Sequence, residues 1–194
     1  VAYVFRKIGI ATLAGALVLA AAKAGLAQRY DGQVVRYHGV DFPAEFAEGR
    51  RLSTRDYEAT NPGLGFSAGY RHRNATSTLY VYDLGLKSIP DDISSAVVVR
   101  QFEQARSDIA TAQAGAAVLS SRGQFTIADS RRRPRLTCEG LNLKRGDQPP
   151  IATYLCLGAI NGKFFKVRTT ALQAEGSQEE LRRFIDAWVV KLWP

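Results

Sequence analysis

The sequence predicts an α+β fold: an antiparallel β-sheet with a central helix and a C-terminal amphipathic helix packed on it, sandwich-like (α/β/α), preceded by a signal peptide. Three features carry that prediction. They are a charge-free apolar leader, a succession of strand-like runs joined by short turn signals, and two segments of helical periodicity, one mid-chain and one at the end.

The leader opens with Arg6 and Lys7, and the run from Ile8 to Ala22 carries no charge. A cationic patch before a short apolar run is the layout of a secretory signal. The run falls short of the roughly 20 residues a spanning helix needs, and Lys23 ends it. Gly25-Leu26-Ala27 places small side chains at the third and first positions before Gln28, as signal peptidase requires, with a cut after Ala24 as the alternative. Residues 1–27 are therefore expected to be a leader, and residues 28–194 a single exported domain, periplasmic or secreted. No Cys follows the apolar run and Arg6 has no second Arg beside it, so neither a lipoprotein nor a twin-arginine signal is indicated.

The elements follow in order. Val34 to Val40 and Arg51 to Glu58 read as strands separated by a Phe42-Pro43 turn. Leu64 to Tyr70 and Ser77 to Leu84 alternate, with Phe66, Ala68, Tyr70, Leu79 and Val81 on core faces, and form a hairpin about His72 to Thr76. Pro90, Asp91 and Asp92 precede a helical pattern of Val98, Phe102, Ala105 and Ile109 that stops near Gly115, and the two acids suit the helix dipole. Ala117 to Leu119 and Gln124 to Ala128 flank Arg122-Gly123 as a further hairpin. Leu136 to Leu143 and Ile151 to Ile160 flank the turn cluster around Asp147, and Asn161-Gly162 joins the second of these runs to Phe164 to Thr170. Ser177 and Glu180 form a capping box for a last helix whose Leu181, Phe184, Ile185, Trp188, Val189 and Leu192 keep to one stripe. Val190 and Trp193 fall off that stripe, as a partner surface or as a terminal Trp folded over its own domain.

The order of these elements resembles the PsbP-like fold over residues 43–192, on the Phe42-Pro43 entry, the Tyr80-Val81-Tyr82 strand, the Asn161-Gly162 hairpin and the Phe184-to-Leu192 helix. The resemblance implies a binding and assembly scaffold of an α/β/α type. It brings no catalytic motif onto these positions.

Cys138 and Cys156 lie opposite each other if their hairpin turns about Asp147, and an exported chain would oxidise them to a disulfide. With His38 and His72 as the only histidines, two sulfurs make a poor zinc site.

The formal charge is +8, falling to +5 without Arg6, Lys7 and Lys23. Arg131, Arg132, Arg133 and Arg135 form the densest basic cluster, with smaller groups at Arg50-Arg51 and Arg71-His72-Arg73. Such a run is most often a solvated loop; its alternative role is to bind anionic lipid or glycan of a cell envelope. No nucleic-acid motif accompanies it.

Gly65-Phe66-Ser67-Ala68-Gly69 matches the G-x-S-x-G pattern of a nucleophilic serine, followed by His72 and Asp83. That chemistry needs a helix directly after the serine, and here a strand continues. Gly63, Gly65 and Gly69 likewise read as relief for close strand packing rather than a phosphate loop. His38 reads as a strand residue, and Asn74-Ala75-Thr76 as a sequon in a turn.

The function expected is a non-catalytic binding or assembly module without cofactor or metal. It contacts a partner protein or an acidic envelope component through its sheet face, its basic loop or both, with only peripheral membrane association. The alternative is a small serine hydrolase using Ser67 and His72.

Overall fold

The computed structural model describes residues 33–194 apart from 74, 113–117, 145–146, 148, 150 and 173–176, so the leader expected over 1–27 lies outside the described residues. Twelve elements are described. β1 (Val35–Tyr37) and β2 (Val40–Phe42) make a small hairpin. The main sheet is antiparallel and holds β3 (Glu45–Phe46), β4 (Gly49–Asp56), β5 (Phe66–His72), β6 (Ala75–Tyr82), β7 (Val118–Ala128), β8 (Pro134–Lys144), β9 (Ile151–Ile160) and β10 (Lys163–Leu172). Its spatial order is β3-β4-β5-β6-β10-β9-β8-β7. α1 (Ala96–Ala112) and α2 (Ser177–Leu192) complete the α+β architecture.

Burial along the strands shows which parts of the sheet are covered. β9 is buried at nearly every position, the pattern of a strand with both faces packed. On one face α1 sets Val98, Phe102, Ala105 and Ile109 against Leu141, Leu155, Leu157, Ala159 and Phe164. On the other, α2 and the β1–β2 hairpin pack together around Trp188, whose ring neighbours are Phe42, Phe46, Tyr70, Phe165 and Phe184. β5 and β6, by contrast, bury one face more deeply than the other: Phe66, Ala68, Tyr70, Leu79 and Val81 point to the α2 side, whereas Arg71 and Thr76 point away and are exposed.

The Asn161-Gly162 turn takes the expected left-handed backbone, with φ of 51° and 72°. Cys138 and Cys156 are cross-strand partners in β8 and β9, fully buried and joined as a disulfide.

Several local readings change. The expected hairpin about Arg122-Gly123 is instead one long strand, β7, paired with β8 throughout; those two residues form a bulge, with Gly123 at φ 99°. His38 sits in the β1–β2 turn, not within a strand, at φ 46° beside Gly39. Asp91 leaves the α1 terminus for Arg135 and the Trp193 indole N–H, while Asp92 accepts from Ser94 one turn before the helix. One reading holds: Trp193 is buried against its own domain, edge-on to Phe165, while Val190 is 60% exposed. Glu180 faces His72, and the Ser177 half of the capping box lies outside the described side chains. Among the described residues no helix is long and apolar enough to cross a membrane.

Candidate binding face

Strand alternation separates the two members of the hydrolase alternative. Ser67 and His72 are five positions apart in β5 and therefore lie on opposite faces. Ser67 Oγ donates to the Tyr57 hydroxyl at 3.4 Å on the face away from α2. His72 points to the α2 side, where Nε2 meets Ser77 Oγ at 2.8 Å, Ser77 meets Thr169 Oγ1 at 2.6 Å, and the ring stacks on Phe184. Burial pushes the His72 imidazole below its ordinary value, against the opposing pull of Glu180. The serine beside His72 is thus Ser77, itself fully buried, and the Ser67–His72 pair is corrected to two unrelated side chains.

The glycines of the G-x-S-x-G match have steric reasons. A Cβ on Gly65, whose φ is 61°, would stand 2.0 Å from the Val81 carbonyl oxygen, and one on Gly69 would meet Ser53 Oγ at 2.9 Å. Glu58 locks the loop before β5, accepting the Gly63 and Gly65 N–H groups on its two oxygens.

The arginine run is built around Asp129. One oxygen accepts the Arg131 and Arg133 N–H groups, the other the Nε groups of Arg133 and Arg135, and Arg135 also reaches Asp91 at 3.0 Å. Burial opposes ionisation of Asp129, but the hydrogen bonds led by the Arg133 backbone outweigh it and hold the carboxyl below the usual carboxylate range. Arg131 and Arg132 stay exposed with no ion pair among the described residues. A folded pKa lowered below the unfolded value of about 3.9 stabilises the fold above that pH and loses the contribution in stronger acid. Asp129→Asn is therefore expected to melt well below the parent at pH 7, with the gap narrowing as pH falls below about 4. Parallel melts at pH 7 and pH 3 check this; an equal gap at both would refute it.

A second basic group is spread over β4, β5, β6 and β10. α1 lies over β8 and β9 and reaches only the Tyr82 end of β6. On the same face of β4 and β5 Tyr57 lies beside Ser67, which is buried, but no helix among the described residues packs there, and Arg50, Ser53, Arg55, Arg71 and Thr76 are exposed. Register places Arg55, Ser67, Tyr80 and Lys166 in one row across β4, β5, β6 and β10, and Gly69, Thr78 and Arg168 in the next. Arg50 and Arg71 are direct cross-strand partners. Arg55 stacks over Tyr57 at 4.7 Å and Lys166 over Tyr80 at 4.4 Å. None of Arg50, Arg55, Arg71, Lys166 and Arg168 forms an ion pair among the described residues, although Lys166 feels the Asp108 carboxylate without touching it. Sequence inspection missed this set because its members come from four strands, and only the pairing order brings them together.

No family model and no curated protein matches the chain. Solved structures similar to it include the following two. One is the solution structure of cyanobacterial PsbP from Synechocystis sp. PCC 6803, 11% identical, covering 75% of this chain and 92% of that one, with a TM-score of 0.48. The other is a protein of unknown function from Pseudomonas aeruginosa, 9% identical, covering 80% and 90%, with a TM-score of 0.32. The first has the PsbP-like fold that the element order resembles, a likeness of fold alone.

Proposed function

We propose that this chain is an exported, non-catalytic binding module, one domain over residues 28–194 behind a cleaved leader, that contacts an acidic envelope component through the uncovered face of β4, β5, β6 and β10. The observation that carries the reading is the opposition of Arg50 and Arg71 in register, amid three further cations that form no ion pair among the described residues. Like charges directly opposite in a sheet destabilise it, so the arrangement costs the fold something that an anionic ligand would return. The apolar half of the same sheet is already consumed by α1, which leaves the basic half as the open surface. The loop of Arg131 and Arg132 is the lesser candidate, since Asp129 already occupies Arg133 and Arg135.

A cation at an anionic surface is worth about 1 kcal/mol. Replacing Arg55, Arg71 and Arg168 together by Ser is expected to weaken retention on phosphatidylglycerol vesicles or immobilised polygalacturonate about a hundredfold at low salt, with a melting temperature no lower than the parent's because the Arg50–Arg71 opposition is relieved. Replacing Arg131 and Arg132 is expected to matter far less. Parent protein that passes through both matrices at low salt would sink the proposal, and loss confined to the loop variant would move the site to Arg131 and Arg132.

A further inference from the structure

Resting on that reading, we propose that the uncovered face carries a subsite for a single uronate residue of an acidic glycan, with the carboxylate on Lys166 and the sugar ring against Tyr57 and Tyr80. A pocket of about 210 Å³ lies at this end of the face. A cavity of roughly 150 Å³ holds a benzene molecule, so the space suits one six-membered ring with a carboxylate attached.

Its construction favours a sugar acid over a plain hydrophobe. Tyrosine rings from β6 and from the segment after β4 line it together with the exposed Leu64 and Leu84. The phenol groups, the Gln101 amide, the Asp108 carboxylate and the Lys166 ammonium all converge there, a mixture of donors and acceptors that ring hydroxyls can use. Gln101 already donates to the Tyr82 hydroxyl at 2.9 Å, which leaves its carbonyl oxygen as an acceptor, and Asp108 accepts from Gln104 on one oxygen only.

Lys166 supplies the charge selectivity. Its Nζ lies 4.4 Å and 5.2 Å from the Tyr80 and Tyr82 ring centres and has neither an ion pair nor a hydrogen bond among the described residues. Burial lowers its basicity, Asp108 opposes that shift and Arg168 adds to it. A ligand carboxylate would give this half-buried ammonium the direct, charge-assisted hydrogen bond that Asp108 does not make.

The walls are held in place before any ligand arrives. The Tyr57 N–H donates to the Gly65 carbonyl at 2.8 Å, and the Asp83 and Leu84 N–H groups both donate to the Gly63 carbonyl. The two loops bearing Leu64 and Leu84 are thereby tied to each other, and little ordering remains to be done on binding.

The test titrates the full chain with tetragalacturonate, with a neutral tetragalactoside and with phosphatidylglycerol vesicles, reading affinity by calorimetry and contacts by amide shifts. The acid is expected to bind about tenfold more tightly than its neutral counterpart, as one charge-assisted hydrogen bond allows. Lys166→Met, which keeps the stem, is expected to erase that preference. Tyr57→Leu, on a half-exposed ring, is expected to weaken both sugars alike and serves if Lys166→Met does not fold. Unchanged preference in Lys166→Met, or unchanged affinity in Tyr57→Leu, would overturn the subsite. Binding to vesicles but not to tetragalacturonate would overturn it while leaving the proposed function standing; binding to neither would remove both.

Discussion

Trp188→Ala is expected to cost about 3–5 kcal/mol of folding stability, the range for truncating a large buried aromatic. Trp188 is fully buried and its indole neighbours rings from three separate structures: Phe184 of its own helix, Phe42 of the β1–β2 hairpin, and Phe46, Tyr70 and Phe165 of the main sheet. Removing it leaves a void between layers that cannot close by shifting one side chain, because each neighbour is anchored in a different element. Urea denaturation at neutral pH, with the disulfide intact, measures the loss. Val190→Ser, two residues on but 60% exposed, is expected to change stability by no more than about 0.5 kcal/mol. A Trp188→Ala loss near that of Val190→Ser would show that α2 does not dock as described.

The difference between these two positions was legible in the sequence. The stripe from Leu181 to Leu192 has the period of one helix face, and Val190 falls off it. Alternation likewise found the core side of β5 and β6, and Asn161-Gly162 found its turn. Arg122-Gly123 misled because a bulge and a two-residue turn draw on the same freedom of glycine at positive φ; the 11-residue partner strand β8 decides between them, and it is not local information. Asp91 misled for a related reason. A local rule assigns an acid before a helix to the dipole, but Asp91 is taken by Arg135, 44 positions away.

The binding face was out of reach for a stronger reason. Arg55, Ser67, Tyr80 and Lys166 share one row only because β10 returns to pair with β6 after α1 and three further strands have been laid down. Each residue by itself reads as a solvated strand position. Their meaning lies in where α1 stops: it borders Tyr80 and Lys166 through Gln101 and Asp108 and leaves Arg55 exposed, because its apolar partners lie mainly on β8 and β9.

Breaking the Cys138–Cys156 bond is expected to cost about 3 kcal/mol, from the loop-closure entropy of a chain segment with a sequence separation of 18. The cost falls below that value to the extent that the β8–β9 hairpin survives in the unfolded chain. Comparing urea midpoints with and without reductant isolates the bond without altering a side chain, which matters because both sulfurs sit in the α2-side core. An unchanged midpoint, in samples whose thiols alkylate fully once unfolded, would show that the cross-link does not constrain the unfolded chain. Cys156 pairs with Val167, between Lys166 and Arg168, but the sulfurs and Val167 belong to the α2-side core while the two cations project from the other face, so reduced protein that is still folded is expected to keep its retention on an anionic matrix. Stability and binding would then respond to opposite faces of one sheet, which is what a surface freed from core duty requires.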